Sequence, residues 1–258
     1  MTIDSAPRVR GSRPVRGGGR VRLDWRVGGS TVRPWDAELL GIALIAGGLG
    51  VVASVTTGRL VAGSAGAILA VLVLWAALAV PVVIGLRRSR PRALLAFRPV
   101  DLVYGIALGL IARIALGVAI AATGGDQAFP SAGSLGGAWW FTGLIAPVAG
   151  APLFEEGFFR AVVLVTVFTL VRRGSGRLTA AFVSVLFSTG LFVLMHAIAA
   201  PLSVGDVVGI VLVALFAGVL VVATGRVWPA VIAHATFNAT GVALTIVGTL
   251  AGTGATLS

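Results

Sequence analysis

Two adjacent carboxylates and an arginine lie inside a long apolar stretch of this chain. Glu155, Glu156 and Arg160 occupy the middle of an apolar segment that runs from 144 to 170, and two of the three glutamates in the whole chain are found there. Ionisable groups at membrane depth cost several kcal/mol each, so they are seldom incidental. The cluster is therefore a candidate functional site.

The spacing of these residues separates the two glutamates by helical face. Glu156 and Arg160 are four residues apart, so they share one face of a helix and can pair within the membrane. Glu155 points about 100° away from that face. The sequence therefore predicts a supporting ion pair beside a second carboxylate that is free for other chemistry.

The two histidines of the chain lie in two further apolar segments. His196 follows Phe192 by four residues, and His234 precedes Asn238 by four, so each pair shares one helical face. Histidine exchanges protons near neutral pH more readily than any other side chain. One buried histidine is usually structural. Two of them, with two glutamates and an asparagine on separate apolar helices, indicate a site that is assembled from several helices.

The composition is that of an integral membrane protein. Hydrophobic residues make up 57% of the chain and charged residues 11%, and cysteine is absent, which excludes disulfides and thiolate chemistry. The positive charge is entirely arginine, and eight of the 20 arginines lie within residues 8–33. No basic-aromatic face accompanies them, so we expect an anionic membrane surface rather than nucleic acid as their partner.

The apolar segments predict an all-α, polytopic transmembrane bundle with about seven spans, because a span needs about 20 apolar residues. Arginines cluster after the second, fourth and sixth segments and are scarce in the alternate loops. The positive-inside rule then places the N-terminus in the cytoplasm. The predicted spans are 37–58, 60–86, 100–123, 138–171, 178–200, 204–224 and 227–251.

Three parts of the chain are expected. Residues 1–34 form a disordered, arginine-rich cytoplasmic tail, residues 35–136 the N-terminal transmembrane helices, and residues 137–258 a catalytic transmembrane core. The fourth span is too long for a simple crossing, and Pro147 and Pro152 are expected to bend or break it.

Two arginines near the spans leave open questions. Arg113 in the third span either pairs with a carboxylate or extends to the membrane surface. His234 lies only about 12 Å along its helix from Arg226, whereas Glu155 and His196 are about 25 and 28 Å from their nearest cytoplasmic arginines. Either the last helix begins deep, or Arg226 is drawn into the protein.

The three motifs in their order resemble those of a known family. Glu-Glu-x-x-x-Arg from Glu155, Phe-x-x-x-His ending at His196, and His-x-x-x-Asn from His234 are similar to the motifs of the CPBP family. This family comprises the CAAX-processing intramembrane proteases and their bacterial relatives, often called Abi proteins. The similarity covers roughly residues 138–245.

The resemblance implies a role for each motif residue. Glu155 would be the base that activates water, and His196 would hold and polarise the same water. His234 and Asn238 would stabilise the oxyanion of the attacked carbonyl. The other residues of the motifs would support the site, and they are Glu156, Arg160 and Phe192.

The cofactor prediction has two alternatives. Two histidines and one glutamate form a known catalytic zinc set, which here would be Glu155, His196 and His234. His-Glu-x-x-His is missing, and the resemblance favours a mechanism that depends on glutamate without a metal. We therefore expect no cofactor, with zinc as the alternative.

The function stays open between three classes. The first is an intramembrane endopeptidase that cuts a membrane-associated protein or a hydrophobic peptide. The second is a membrane scaffold or regulator, for instance of the bacteriocin-immunity type, that keeps the motifs for structure. The third is a transporter in which the buried charges relay protons. The composition suggests a GC-rich bacterial source and hence a multi-pass protein of the bacterial cell membrane, in contact with its lipids.

Overall fold

The described parts of the chain, residues 34–122 and 130–252 of this computed structural model, are helical and contain no strand. The predicted arginine-rich tail lies outside them, apart from its last residue. Two segments within the long fourth stretch are wound as π-helix, and we name them π1 and π2. The helices are α1 (Ala37–Leu60), α2 (Gly63–Arg88), α3 (Arg92–Leu95), α4 (Val100–Ala122), π1 (Trp140–Gly150), α5 (Ala151–Glu156), π2 (Gly157–Leu164), α6 (Val165–Ala199), α7 (Val204–Thr224) and α8 (Trp228–Leu250).

About seven membrane spans are confirmed. Six apolar helical stretches in the described residues are long enough to cross a bilayer, and the longest, Trp140–Ala199, is 60 residues long. That stretch divides at Gly176, whose φ of 77° lies in the left-handed region that glycine adopts without strain. The stretch therefore supplies two crossings, and the protein is a multi-pass membrane protein.

Of the two effects expected from the prolines of the fourth span, a bend or a break, the break is not found. Helix continues from π1 through α5 and π2 into α6, with Pro147 inside π1 and Pro152 near the start of α5. A π turn bonds each carbonyl to an N–H five residues on, so the chain accommodates the missing proline N–H by a change of winding rather than by a break.

Two glycines of α4 allow the close contact that positions α8, the last helix. In α4, a Cβ on Gly105 would lie 2.5 Å from the Cβ of Ile232, and one on Gly109 would lie 2.6 Å from the carbonyl oxygen of Ala233. Both partners belong to α8 and immediately precede His234 in sequence. Close approach through small residues is common between membrane helices, and here it fixes the register of the helix that carries two of the predicted site residues.

Arg226 is drawn into the protein. This explains why His234 lies closer to an arginine along the chain than Glu155 and His196 do. Its Nε donates to both carboxylate oxygens of Asp101, at 2.9 and 3.1 Å, and Asp101 is fully buried. The backbone N–H of Val227 donates to the carbonyl of Leu94 at 2.9 Å. The connection between α7 and α8 is thus held against the segment before α4, and Arg226 does not mark the membrane surface.

Candidate active site

Glu155 and Glu156 end α5, at the junction with π2. Glu156 is completely buried and Glu155 is 8% exposed. The surrounding helix packs against α1, α2, α7 and α8, so both carboxylates lie at the centre of the bundle. Two adjacent residues of one helix point in different directions, and each carboxylate consequently meets different partners.

Glu156 joins the buried arginine to one of the histidines. Its Oε2 lies 3.0 Å from Nε of Arg160, the ion pair that the four-residue spacing predicts. Its Oε1 lies 2.9 Å from Nδ1 of His234, and since a carboxylate only accepts, the imidazole donates. Arg160 also donates from Nη2 to the carbonyl of Ala214 in α7, at 3.0 Å. Glu156 and Arg160 together therefore connect their own helical segment to α7 and α8.

Glu155 faces the other ring nitrogen of the same histidine. Its Oε2 lies 4.0 Å from Nε2 of His234, too far for a direct hydrogen bond. This oxygen is buried and has no hydrogen-bond partner among the described residues. A buried polar pair at such a separation is suited to a bridging water, which can bond to both groups at once.

The ring of Phe192 lies next to the rings of both histidines. The centre of its ring lies 4.5 Å from that of His196 and 5.9 Å from that of His234. Nδ1 of His196 lies 2.8 Å from the carbonyl oxygen of Phe192, so it carries the proton. The neutral ring then presents Nε2 as an acceptor.

The side chain of Asn238 binds the backbone of π1. Its Nδ2 donates to the carbonyl of Pro147 at 2.7 Å. In the π winding each carbonyl is bonded by the N–H five residues later, as Ala146 is by Ala151. The carbonyl of Pro147 would need the N–H of residue 152, which is a proline and has none. The amide of Asn238 replaces this donor and still has a second N–H.

We expect Asn238→Leu to lower the free energy of unfolding by about 1–3 kcal/mol, because the Pro147 carbonyl loses its donor where little water can replace it. Pro152→Ala supplies the missing backbone N–H. The double variant should recover most of the loss, which unfolding titrations in mixed micelles would measure. If Pro152→Ala does not rescue Asn238→Leu, the proline is not the reason for this bond.

Sequence reasoning missed several residues that support the site. Trp75 of α2 stacks on Phe154 with ring centres 5.0 Å apart, and a Cβ on Gly150 would lie 2.0 Å from its ring. This packing holds the turn that precedes Glu155. The spacing of Pro147 and Pro152, five residues, was the signal for an unusual winding, but no local signal pointed to Trp75.

The geometry of the described residues gives no support to the zinc alternative. Among them, no group of three histidine, aspartate or glutamate side chains has an arrangement that could hold a metal ion. One nitrogen of each histidine is bonded, His234 to Glu156 and His196 to a backbone carbonyl, and the other nitrogen of each ring is left for a ligand. We derive no step through zinc.

Fold and site together define a polytopic helical membrane protein with a buried cluster of glutamate, arginine and histidine side chains. Residues 137–240 match the family described as Type II CAAX prenyl endopeptidase Rce1-like. This match covers less than half of the chain, contains all three motifs, and confirms the resemblance seen in the sequence. It supports a CAAX-type intramembrane protease in general terms. No curated protein and no solved structure matches the chain.

Proposed function

We propose that this protein is an intramembrane endopeptidase in which Glu155 activates a water molecule. The observation that carries the proposal is the buried, unpartnered Oε2 of Glu155, 4.0 Å from Nε2 of His234. A general base must lie within hydrogen-bond reach of the proton it removes. A carboxylate oxygen with no hydrogen-bond partner among the described residues, in a site braced by an ion pair, is suited to that task.

The attacking water is held by two acceptors. One hydrogen is donated to Glu155 and the other to Nε2 of His196, which accepts because its Nδ1 donates to the Phe192 carbonyl. The oxygen lone pairs then point towards the substrate. Glu155 takes the proton as the water oxygen bonds to the peptide carbon, and it later gives this proton to the leaving amine.

The developing oxyanion is stabilised by donors on α8. His234 donates from Nδ1 to Glu156, so its Nε2 is the ring nitrogen left to face the substrate, and it acts as a donor when it carries a proton. Asn238 contributes its second amide N–H, since the first is bound to Pro147. Preorganised donors of this kind act strongly in a site of low dielectric.

Supporting roles fall to Glu156, Arg160 and Phe192. Arg160 neutralises Glu156 and lies 4.7 Å above the ring of Phe192, which in turn contacts both histidines. These residues position the groups that touch the substrate. The proposed mechanism needs no cofactor, and zinc bound by Glu155, His196 and His234 is the alternative.

The proposed substrate is a membrane-associated protein or a hydrophobic peptide, reached from within a multi-pass helical bundle that contacts membrane lipids. The proposed location is the bacterial cell membrane, with the N-terminus in the cytoplasm as the distribution of arginine predicts.

Purified protein in detergent, incubated with a library of hydrophobic peptides and analysed by mass spectrometry, tests this function. We expect defined cleavage products that disappear in His196→Ala and persist in a strong chelator. Loss of cleavage in chelator would favour the zinc alternative. No cleavage, together with a cellular phenotype that survives in His196→Ala, would favour the scaffold.

A further inference from the structure

Arg113 of α4 lies within a membrane span and forms no ion pair with any carboxylate that the structure describes. Neither alternative from the sequence, an acidic partner or extension to the membrane surface, is found. Its Nε donates to Oγ1 of Thr240 at 3.2 Å, its Nη2 donates to the carbonyl of Phe237, and the guanidinium lies 3.9 Å from the centre of the Phe237 ring. The positive charge is thus held in place by α8, without a carboxylate partner among the described residues.

The same arginine lines a cavity of about 700 Å³ between α4, α7 and α8. The walls are mostly apolar, with Leu116, Ile210 and Leu244 among the lining side chains. Ser203 and Asp206 at the start of α7 also line it, so the cavity extends to the arginine-poor end of the bundle. This end is the one that the charge distribution places outside.

The charge lies deep in this cavity. Arg113 precedes the end of α4 at Ala122 by nine residues, about 13 Å of helix. Asp206 lines the same cavity but forms no ion pair with Arg113 in the described structure, and its carboxylate accepts instead from the N–H and the hydroxyl of Ser203 at 2.9 and 2.7 Å. The cavity therefore combines apolar walls, a polar rim and a cation at depth.

Glycines keep the space around the arginine open. A Cβ on Gly241 would lie 2.5 Å from Nη2 of Arg113, so a larger residue would displace the guanidinium. A Cβ on Gly117, which also lines the cavity, would meet nothing within 4 Å. Two of the five guanidinium N–H donors are used by α8, and three remain, enough for a bidentate bond to a carboxylate.

We propose that this cavity binds the carboxylate of an apolar chain, which enters from the arginine-poor end and pairs with Arg113. A free fatty acid and the C-terminus of a hydrophobic peptide share this chemistry. Burial of the chain against the walls and of the carboxylate against the guanidinium would satisfy an intramembrane charge that has no counterion in the part of the chain that the structure describes. The proposal is independent of peptide hydrolysis, because His234 and Glu155 are not among the lining residues.

Binding of tritiated palmitate to the purified full-length protein in non-ionic detergent tests the site. We expect palmitate to bind about tenfold to a hundredfold more tightly than hexadecanol, which has the chain without the charge, as hydrogen bonds to a charged group imply. Arg113→Gln should abolish this preference. Equal competition by the acid and the alcohol would overturn the proposal.

A second variant keeps the test valid if Arg113→Gln unfolds. Gly117→Leu fills the open space without altering the arginine and should lower palmitate affinity at least tenfold. Gly48→Leu on α1 is the matched control: a Cβ there also meets nothing within 4 Å, and palmitate affinity should not change. Glu155→Gln should bind palmitate as the wild type does. Full palmitate affinity in Gly117→Leu would contradict the site.

The two sources of the carboxylate are distinguished by competition. A hydrophobic peptide with a free C-terminus and the same peptide with a C-terminal amide are each added against labelled palmitate. Displacement by the free acid alone identifies a peptide C-terminus as a ligand of the site. Displacement by neither peptide, with the preference for palmitate over hexadecanol intact, identifies the fatty acid.

Discussion

Glu155→Gln is expected to lower the rate of peptide cleavage about a thousandfold, within the range usual for loss of a general base. Glutamine has nearly the same shape but does not accept the proton of the attacking water. The free energy of unfolding should change little, because Oε2 of Glu155 has no hydrogen-bond partner in the described protein to lose. Initial rates on one defined peptide, with unfolding titrations of both proteins, would measure the two effects.

The third glutamate of the chain provides a matched control. Glu38 is exposed near the start of α1 and pairs with Arg88 at 2.8 Å, far from the candidate site in the bundle. Glu38→Gln removes the same charge and should leave the cleavage rate unchanged. A cleavage rate in Glu155→Gln within tenfold of the wild type would mean that another group activates the water.

Glu156→Leu is expected to lower the free energy of unfolding by about 3–5 kcal/mol, because it leaves the charge of Arg160 buried without compensation. Both side chains are fully buried, so solvent does not screen this charge. Arg160→Leu should also destabilise the protein, because Glu156 loses its buried cation and keeps only its bond to Nδ1 of His234. Unfolding titrations in mixed micelles would give both values.

The double variant Glu156→Leu, Arg160→Leu separates stability from activity. Replacing a buried ion pair by apolar residues is often neutral, so most of the stability should return. Cleavage should remain lost, since Nδ1 of His234 no longer has its carboxylate acceptor. A stable double variant that cleaves at the wild-type rate would show that Glu156 serves stability alone.

The membrane spans could be predicted from the sequence to within a few residues. The length of the apolar segments and the alternation of arginine between loops are both local properties of the chain. The pairing of Glu156 with Arg160 was predictable for the same reason, since four-residue spacing on one helix brings two side chains together.

The contacts between helices could not be predicted in this way. Glu156 and His234 are separated by 78 positions, and their bond depends on the depth at which α8 packs. The sequence left two explanations for the depth of His234 open, and only the bond between Arg226 and Asp101 in the structure selects the one in which Arg226 is drawn into the protein. The π winding around Pro147 was missed since apolar periodicity carries no signal for it.

The most direct test of the central claim is an experimental structure, at a resolution that shows ordered water, of the region between Glu155, His196 and His234. The proposed mechanism predicts one water within about 2.6–3.2 Å of a carboxylate oxygen of Glu155 and of Nε2 of His196. A metal ion bonded to all three side chains at about 2.0–2.2 Å would contradict it. So would a direct hydrogen bond between Glu155 and His234 that leaves no room for water.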